Sequence, residues 1–297
     1  MKSKLLIIGG SGLIGSTLIE YALNDYKIHA TYNKNPIQNV IIKSTKIELL
    51  DDRTKIIHLI KTLNPDVVVH TAAHPSVDLC ETDHKIADSL HVDVTQDIVN
   101  ICSEINAKLL YISTDAVFEG KINKKYTESD NTNPINYYGK TKLEAEKIVL
   151  NKPDNVILRT AVVYGWHKKS RFTNWILESL KEKKSVNPFT DQYNTPTLVD
   201  DLAKSIIEIM RLGLCGLYHA TGKTCINRYD FALELAGRFG YDKSLIKPVS
   251  SAQKKQDAPR PTATCLDSNK LERLTRYQFK DTKSGISFIY EKSISGI

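Results

Sequence analysis

The chain has 297 residues, of which 41% are hydrophobic and 25% are charged, so it can build one large or two modest domains with a buried core, and disorder is not expected. Its formal net charge of +7 suits an anionic small molecule such as a nucleotide, but no dense basic block with interleaved aromatic residues predicts a nucleic-acid groove. The five cysteines are widely spaced and include no CxxC pair, which disfavours a disulfide framework or a zinc site and fits a reducing cytoplasm.

The first predicted elements are a strand, a glycine turn and a helix. Apolar residues 5–8 have the length and branching of a buried strand, and residues 16–23 carry apolar side chains at helical spacing. In this context one glycine makes the tight turn, one lets the backbone approach a pyrophosphate, and one lets the helix pack on the strand. The phosphates would meet free N–H groups at the positive end of the helix dipole. The predicted cofactor-binding residues of this turn are Gly9, Ser11, Gly12, Leu13, Ile14 and Gly15.

Further along the chain, strand-like and helix-like runs alternate. Strands are predicted at 28–32, 46–50, 67–71, 108–113 and 156–159, and helices at 54–63, 86–105 and 138–150. This alternation predicts an α/β fold with a Rossmann-type, doubly wound parallel sheet covered on both faces.

After residue 165 the pattern is less regular. Helices are predicted at 172–183, 199–212 and 229–240, with a strand at 216–220. We therefore assign residues 1–165 to a dinucleotide-binding domain, joined by a later strand from within 198–220, and residues 166–297 to a smaller substrate-binding lobe. No run approaches 18 uninterrupted apolar residues, and the first apolar run is too short for a signal peptide, so we expect a soluble cytoplasmic protein without a membrane partner.

Two later motifs carry the chemistry. The strand at 108–113 leads into Thr114 and Asp115, and the carboxyl ends of parallel strands are where ligands bind in such a sheet. Tyr138 and Lys142 are four residues apart on a predicted helix, so their side chains share a face. A nearby ammonium favours the phenolate of a tyrosine whose pKa is ordinarily about 10. Such a tyrosine can hand a proton to a carbonyl oxygen as hydride arrives at its carbon, while Thr114 fixes the oxygen.

The end of the second strand indicates which dinucleotide is bound. An acid there would hydrogen-bond the ribose 2′-hydroxyl, whereas this chain has Asn33 and Lys34, which favour a 2′-phosphate and hence NADP(H) over NAD(H). Asp51 and Asp52 follow the third predicted strand and are placed at the adenine side, with a solvated turn as an equal alternative.

Together these motifs resemble the extended short-chain dehydrogenase/reductases, and within them the dTDP-4-dehydrorhamnose reductase family. The resemblance runs nearly end to end, through residues 9–15, 70–78, 113–118, 134–142, 158–165, 196–203 and 260–267. It implies an NADPH-dependent reductase of a nucleotide-linked 4-keto-6-deoxy sugar, with Thr114, Tyr138 and Lys142 as catalytic residues. It also implies that Tyr138 donates the proton, and that Lys142 adjusts the pKa of Tyr138 and binds the cofactor ribose. The residues that it places at the cofactor channel are Ala72, Ala73 and His74, and those at the substrate are Val77, Thr114, Asp115 and Arg260.

Three departures from that family narrow what carries over. Val162 stands where members often have a tryptophan packed on the sugar, so the sequence does not determine which sugar is bound. Asp93 stands where the superfamily usually has a structural asparagine. Thr17 replaces the glutamate of members that dimerise through magnesium, so we predict no metal bridge and leave a homodimer open.

Two other functions stay open. The first is a nucleotide-sugar epimerase or dehydratase on the same scaffold, although dehydratases usually have an acid beside the catalytic hydroxyl where this chain has Ala116. The second is a non-catalytic NADP-binding regulatory subunit, because the methionine adenosyltransferase beta subunit resembles the same branch.

No metal site is predicted. The acidic, Cys and His residues between 78 and 84 match no tetrahedral ligand spacing, and the segment is predicted to be a loop entering a helix. His70 and His74 lie at a strand end without a third ligand, so each is interpreted as hydrogen-bonded or cofactor-adjacent.

Overall fold

The computed structural model describes residues 2–38 and 41–295, which contain eleven strands. In chain order these are β1 (Lys4–Ile8), β2 (Lys27–Tyr32), β3 (Lys43–Lys46), β4 (Val67–His70), β5 (Lys108–Thr114), β6 (Val156–Thr160), β7 (Val163–Tyr164), β8 (Tyr193–Asn194), β9 (Thr197–Leu198), β10 (Gly216–His219) and β11 (Ile226–Asn227). Seven of them form a parallel sheet in the order β10-β6-β5-β4-β1-β2-β3. The predicted Rossmann-type doubly wound sheet is therefore confirmed.

The helices connect these strands and cover the sheet. They are α1 (Leu13–Ala22), α2 (Arg53–Leu63), α3 (Val77–Thr82), α4 (His84–Ala87), α5 (Val94–Glu104), α6 (Tyr137–Leu150), α7 (Arg171–Lys181), α8 (Val199–Leu212), α9 (Arg228–Phe239), α10 (Asn269–Thr275) and α11 (Thr282–Ser295). A π-helical turn, Asp88–Asp93, joins α4 to α5.

The sheet has a hydrophobic core on each face. Side chains of α1 and α8 pack on one face, and those of α2, α5 and α6 pack on the other. A separate core lies between α7, α9 and α11 in the C-terminal part. Because α8 and β10 return to the sheet, the C-terminal part of the chain is interleaved with it.

The third strand predicted at 46–50 is wrong in position, because β3 ends where that prediction begins. The backbone N–H of Ile47 donates to the carbonyl oxygen of Tyr32 at 2.8 Å, and the chain then leaves the sheet. Ile47 and Leu49 are apolar because they are buried in the core that contains α2, not because they continue the strand.

Two predictions between residues 76 and 105 also need correction. The segment predicted to be a loop contains α3, whose first turn is capped by the Ser76 hydroxyl through the backbone N–H of Leu79. The single helix predicted over 86–105 is interrupted by the π-helical turn, and such turns are frequent at functional sites.

One disulfide is present, although the cysteine spacing disfavoured a disulfide framework. Cys225 and Cys265 are bonded across a sequence separation of 40 residues, with their Cα atoms 5.5 Å apart. The sequence spacing carries no information on this approach, because only the packing of the C-terminal segments brings the two residues together. Among the helices of the described residues, none is long and apolar enough to cross a membrane.

Candidate active site

The glycine turn after β1 is a tight backbone cradle. Gly9 has a φ of +89°, and a Cβ there would lie 2.7 Å from the Thr71 hydroxyl oxygen. A Cβ on Gly15 would lie 2.7 Å from the Gly10 Cα, so α1 packs closely on the turn. Gly12 precedes α1 and provides no side-chain cap, and the first turn of α1 has no acidic residue. The turn therefore fits the pyrophosphate of a dinucleotide, with backbone N–H groups free to donate to it.

A cavity of about 540 Å³ extends from this turn along the carboxyl edge of β1, β2 and β4. Nine predicted cofactor residues line it: Gly9, Ser11, Gly12, Asn33, Lys34, Asp51, Ala72, Ala73 and His74. The predicted residues Leu13, Ile14 and Gly15 form the first turn of α1. Ile86 and Leu90 also line the cavity and were not identified from the sequence.

Asp52 does not line this cavity. Its carboxylate is the N-terminal cap of α2, accepting from the backbone N–H of Lys55 at 3.3 Å and from the Thr54 hydroxyl at 2.6 Å. A capping aspartate has its oxygens committed to the helix terminus.

A second cavity, of about 210 Å³, contains the predicted substrate residues Val77, Thr114, Asp115 and Arg260 together with the phenol of Tyr138. Residues 71–74 line the first cavity, while Pro75 and Val77 line the second, so one short segment forms a wall of both. Residues that line the second cavity and were not predicted from the sequence are Pro75, Ala116, Asn136, Val162, Gln192, Asn194, Arg228, Pro261 and Thr264.

Tyr138 lies in the first turn of α6, which Asn136 caps by accepting from the backbone N–H of Gly139 at 2.8 Å. Burial, and next the negative charge of Asp115, raise the pKa of Tyr138, while a hydrogen bond with Thr114 opposes that rise. The Thr114 hydroxyl also donates to Asp115 Oδ1 at 3.1 Å. The phenol is therefore protonated at neutral pH.

Lys142 is buried on α6, one helical turn after Tyr138. Its Nζ donates to the carbonyl oxygen of Ile112 at 2.7 Å and lies 4.0 Å from the centroid of the Tyr111 ring. Burial lowers the pKa of Lys142 to about 7, against the opposing effect of Glu146. The expected lowering of the Tyr138 pKa by Lys142 is not found in this structure, because the ammonium faces β5 and burial dominates the pKa of the phenol.

Asp115 and Arg260 are both held by protein partners. The buried Asp115 carboxylate accepts from Asn194 Nδ2 at 2.7 Å and from the Thr264 hydroxyl, and burial raises its pKa. Arg260 pairs with Asp78 at 2.8 Å and donates to a backbone carbonyl at 2.9 Å. Asp115 therefore holds Asn194 and Thr264 in the cavity wall. Arg260, held by Asp78, places a positive charge at the cavity.

Arg228 is the most informative residue that the sequence did not reveal. It begins α9, lines the second cavity, and stacks over the Phe172 ring at 5.2 Å from the centroid. Burial lowers the pKa of its guanidinium to about 10, while the charge of Asp115 opposes that shift. Within the described ranges its guanidinium has no hydrogen bond or ion pair, so it can receive an anionic ligand.

His91, not Asp93, holds the backbone at the site. Asp93 is half exposed and pairs with Arg53 at 3.0 Å on the outer surface, so its side chain does not hold the backbone at the site. His91 is buried, and its Nε2 accepts from the backbone N–H of His74 at 3.0 Å. The π-helical turn changes which side chains of this helix face inwards, and sequence periodicity does not show this.

The histidine at the end of β4 is buried without a polar partner. Neither ring nitrogen of His70 has a hydrogen-bond partner among the residues described, and burial lowers its pKa to about 3. His74, by contrast, lines the first cavity and accepts from the backbone N–H of Ser76 at 3.3 Å. Residues 2–38 and 41–295 contain no group of three or more His, Cys, Asp or Glu side chains that could hold a metal ion.

Comparison with known proteins identifies relatives that span the whole fold. The family described as RmlD substrate binding domain matches residues 3–294. The chain is 27% identical to the dTDP-4-dehydrorhamnose reductase of Aggregatibacter actinomycetemcomitans, over 97% of this chain and 98% of that protein. It is 32% identical to methionine adenosyltransferase 2 subunit beta of Mus musculus, over 95% and 86% of the respective chains.

A solved structure agrees with the sequence relatives. The structure of dTDP-4-dehydrorhamnose reductase from Bacillus anthracis in complex with NADP superimposes with a TM-score of 0.88. The two chains are 26% identical, and the match covers 98% of this chain and 100% of that one.

Proposed function

The chain belongs to the RmlD substrate binding domain family, and we propose that it reduces the keto group of a nucleotide-linked 4-keto-6-deoxy sugar, with hydride from NADPH and a proton from Tyr138. It is an NAD(P)-dependent oxidoreductase similar to the dTDP-4-dehydrorhamnose reductases. The observation that carries the proposal is the position of Thr114 and Tyr138 in a small cavity whose wall, residues 71–77, continues into a dinucleotide-sized cavity.

Tyr138 is the proton donor of this reaction. Its raised pKa keeps a proton on the phenolic oxygen at neutral pH, and the Thr114 hydroxyl can turn from Asp115 to the keto oxygen. The Tyr138 proton passes to that oxygen as hydride adds to the carbonyl carbon, which yields an alcohol and a phenolate. A bound nicotinamide cofactor supplies the hydride. We assign to Lys142 the positive charge that stabilises the phenolate once it forms. Because Lys142 lines neither cavity in this structure, its contact with the cofactor ribose requires Nζ to turn away from the Ile112 carbonyl oxygen.

Arg228 and Arg260 are proposed to bind the diphosphate of the nucleotide sugar. Both line the second cavity, and guanidinium groups form paired, charge-assisted hydrogen bonds with phosphate oxygens. Asp78 holds Arg260 in place, whereas Arg228 has its guanidinium available. Val162 lines the same cavity, so its size and shape contribute to which sugar is accepted.

The preference for NADPH over NADH rests on the cations near the glycine turn. Lys34 follows β2 and lines the first cavity. Lys168 and Lys169 line an adjoining cavity of about 190 Å³ together with Gly10, Ser11 and Asn35. Tighter binding of NADPH than of NADH, measured by fluorescence titration, would support the preference, and equal dissociation constants would contradict it.

The test of the reaction compares two neighbouring tyrosines. Tyr138→Phe should lower kcat about 10²–10⁴-fold with dTDP-4-keto-6-deoxy sugar and NADPH, because it removes the general acid, while the Kd for NADPH is unchanged. Tyr137→Phe is the matched control, since the Tyr137 hydroxyl bonds to Asp88 at 2.9 Å and does not line the second cavity. Equal kcat for the two variants, measured from the absorbance of NADPH, would contradict the assignment.

The similarity to the subunit beta of Mus musculus favours one second candidate, a protein that binds NADP without turnover. The same assay separates the two functions. Tight NADPH binding without consumption, across a panel of dTDP-, UDP- and GDP-linked keto sugars, would identify a binding subunit and contradict the proposed reductase.

A further inference from the structure

His91 is the one side chain in the described residues that hydrogen-bonds both to the wall of the first cavity and to the helix of Tyr138. Its Nε2 lies 3.0 Å from the backbone nitrogen of His74, which lines that cavity. Its Nδ1 lies 2.8 Å from the Thr141 hydroxyl on α6. The ring is 1% exposed and packs edge-on against the Tyr138 ring, with centroids 5.5 Å apart and planes at 85°.

The direction of each hydrogen bond follows from the donors present. A backbone N–H can only donate, so Nε2 of His91 carries no proton. The neutral ring then has its proton on Nδ1 and donates to the Thr141 hydroxyl, which itself donates to the carbonyl oxygen of Tyr138 at 3.0 Å. Burial, followed by the charge of Lys142, lowers the pKa of His91 to about 2. The ring is therefore neutral, and this chain of bonds is intact, at any pH where the protein would be assayed.

We propose that His91 is a positioning residue, which sets the wall of the cofactor cavity at His74 against the first turn of α6 that carries Tyr138. The inference rests on the proposed function, because it assigns Nε2 of His91 to the wall of the cofactor cavity and Nδ1 to the helix that carries the proton donor Tyr138. His91 itself does not line the substrate cavity, so it acts through His74 and Thr141 and not on the substrate.

The ring is long enough to join both segments, whereas shorter or acyclic side chains reach only one. An asparagine amide reaches about as far as Nδ1, and a glutamine amide about as far as Nε2. His91→Asn therefore keeps a donor for Thr141 and loses the acceptor for His74, while His91→Gln keeps the acceptor and loses the donor. Thr141→Val removes only the hydroxyl on the α6 side.

The experiment measures two constants for each variant, the Kd for NADPH by fluorescence titration of the protein without substrate and kcat at saturating NADPH. We expect His91→Asn to raise the Kd about tenfold with little change in kcat, the size expected for one buried donor left unpaired. We expect His91→Gln and Thr141→Val to lower kcat about tenfold with little change in Kd. His58→Gln is the control, because His58 lies on the exposed side of α2.

A merely structural role would move neither constant. If the variants lowered only the melting temperature, with Kd and kcat as in the control, the proposal would be overturned. The proposal would also be overturned if His91→Asn and His91→Gln each raised the Kd and lowered kcat to the same extent, because the two ends of the ring would then have no separate roles. Should the His91 variants fail to fold, the kcat of Thr141→Val alone tests the contact between His91 and α6. If the unmodified protein consumes no NADPH, the proposed function fails. The Kd values of His91→Asn and His91→Gln still test the contact between His91 and His74.

Discussion

The two cavities are built in different ways. The first begins at the glycine turn and follows the carboxyl ends of neighbouring strands, where small residues such as Gly9 and Ala72 line it together with larger ones such as Leu90. The second is lined by longer polar side chains from segments between residues 75 and 264, among them Asp115, Asn194 and Arg228. The first cavity therefore depends on the path of the sheet, and the second on how the C-terminal segments pack against it.

The two cavities should therefore respond to different substitutions. A backbone cradle fails when a side chain is added, because nothing can move without shifting β1 or α1. A cavity lined by side chains fails when one group is removed or when the segments that carry those groups come apart. We expect four effects of this kind, of which the first is the largest.

Acid should destabilise the fold most, through three histidines that are buried in the protein and line neither cavity. Burial lowers the pKa to about 3 in His70, about 2 in His91 and about 3 in His219. Because the unfolded chain takes up protons near pH 6.5 and the folded one does not, this stability is present above pH 6.5 and is lost as the pH falls toward 3. In that window each imidazole lowers the free energy of unfolding by about 1.4 kcal/mol for each pH unit of acidification, and the three together lower it by roughly 4 kcal/mol per pH unit.

Urea titrations between pH 7 and 5 would measure this slope. His70→Phe is the sharpest variant, since the His70 ring nitrogens have no partner to lose among the described residues. It should reduce the slope by about 1.4 kcal/mol per pH unit below pH 6.5, which is the contribution of one imidazole. An unchanged slope would mean that His70 is protonated in the folded protein.

Breaking the disulfide should affect the second cavity and spare the first. Cys225 adjoins β11 and α9, and Cys265 follows Thr264, so the bond ties together two segments of the substrate cavity. Cys225→Ser should lower the free energy of unfolding by about 2–4 kcal/mol and raise KM for the sugar, without changing the Kd for NADPH. The free, exposed Cys215 provides the control Cys215→Ser. A parallel loss of NADPH affinity would show that the cavities are not independent.

Adding one methyl group to the cradle should abolish tight cofactor binding. Gly15→Ala places a Cβ against the backbone of Gly9 and Gly10, and we expect the Kd for NADPH to rise about a hundredfold, in line with the loss caused by a small misplacement of a binding group. In the control Gly237→Ala, the added Cβ meets only the flexible end of Lys243. Isothermal titration of both variants gives the comparison, and similar affinities would argue against a pyrophosphate at this turn.

Removing one cation from the second cavity should have the smallest effect of the four. Arg228→Met keeps most of the packing on Phe172 and removes the charge, so KM for the nucleotide sugar should rise about tenfold or somewhat more, while the Kd for NADPH stays the same. Arg238→Met on the same helix is the control, because Arg238 packs on Tyr290 and does not line the cavity. Steady-state kinetics that leave KM unchanged would remove Arg228 from the diphosphate site.

Sequence pattern was sufficient for the features that depend on local spacing. Strand and helix periodicity predicted the parallel sheet, and the order of the glycine turn, Thr114 and the Tyr138/Lys142 pair placed the site at the carboxyl edge of that sheet. These features could be predicted because a helical turn, a glycine spacing and a strand end each involve residues close together in the chain.

Only the tertiary structure decided the remaining features, because they depend on contacts between distant segments. It assigned Asp52 to a helix cap, turned Lys142 toward Ile112, and exchanged Asp93 for His91 through a π-helical turn. It also brought Arg228 to the second cavity and joined Cys225 to Cys265. No periodicity along the chain encodes these approaches, since they result from the packing of the C-terminal segments and the helices against the sheet.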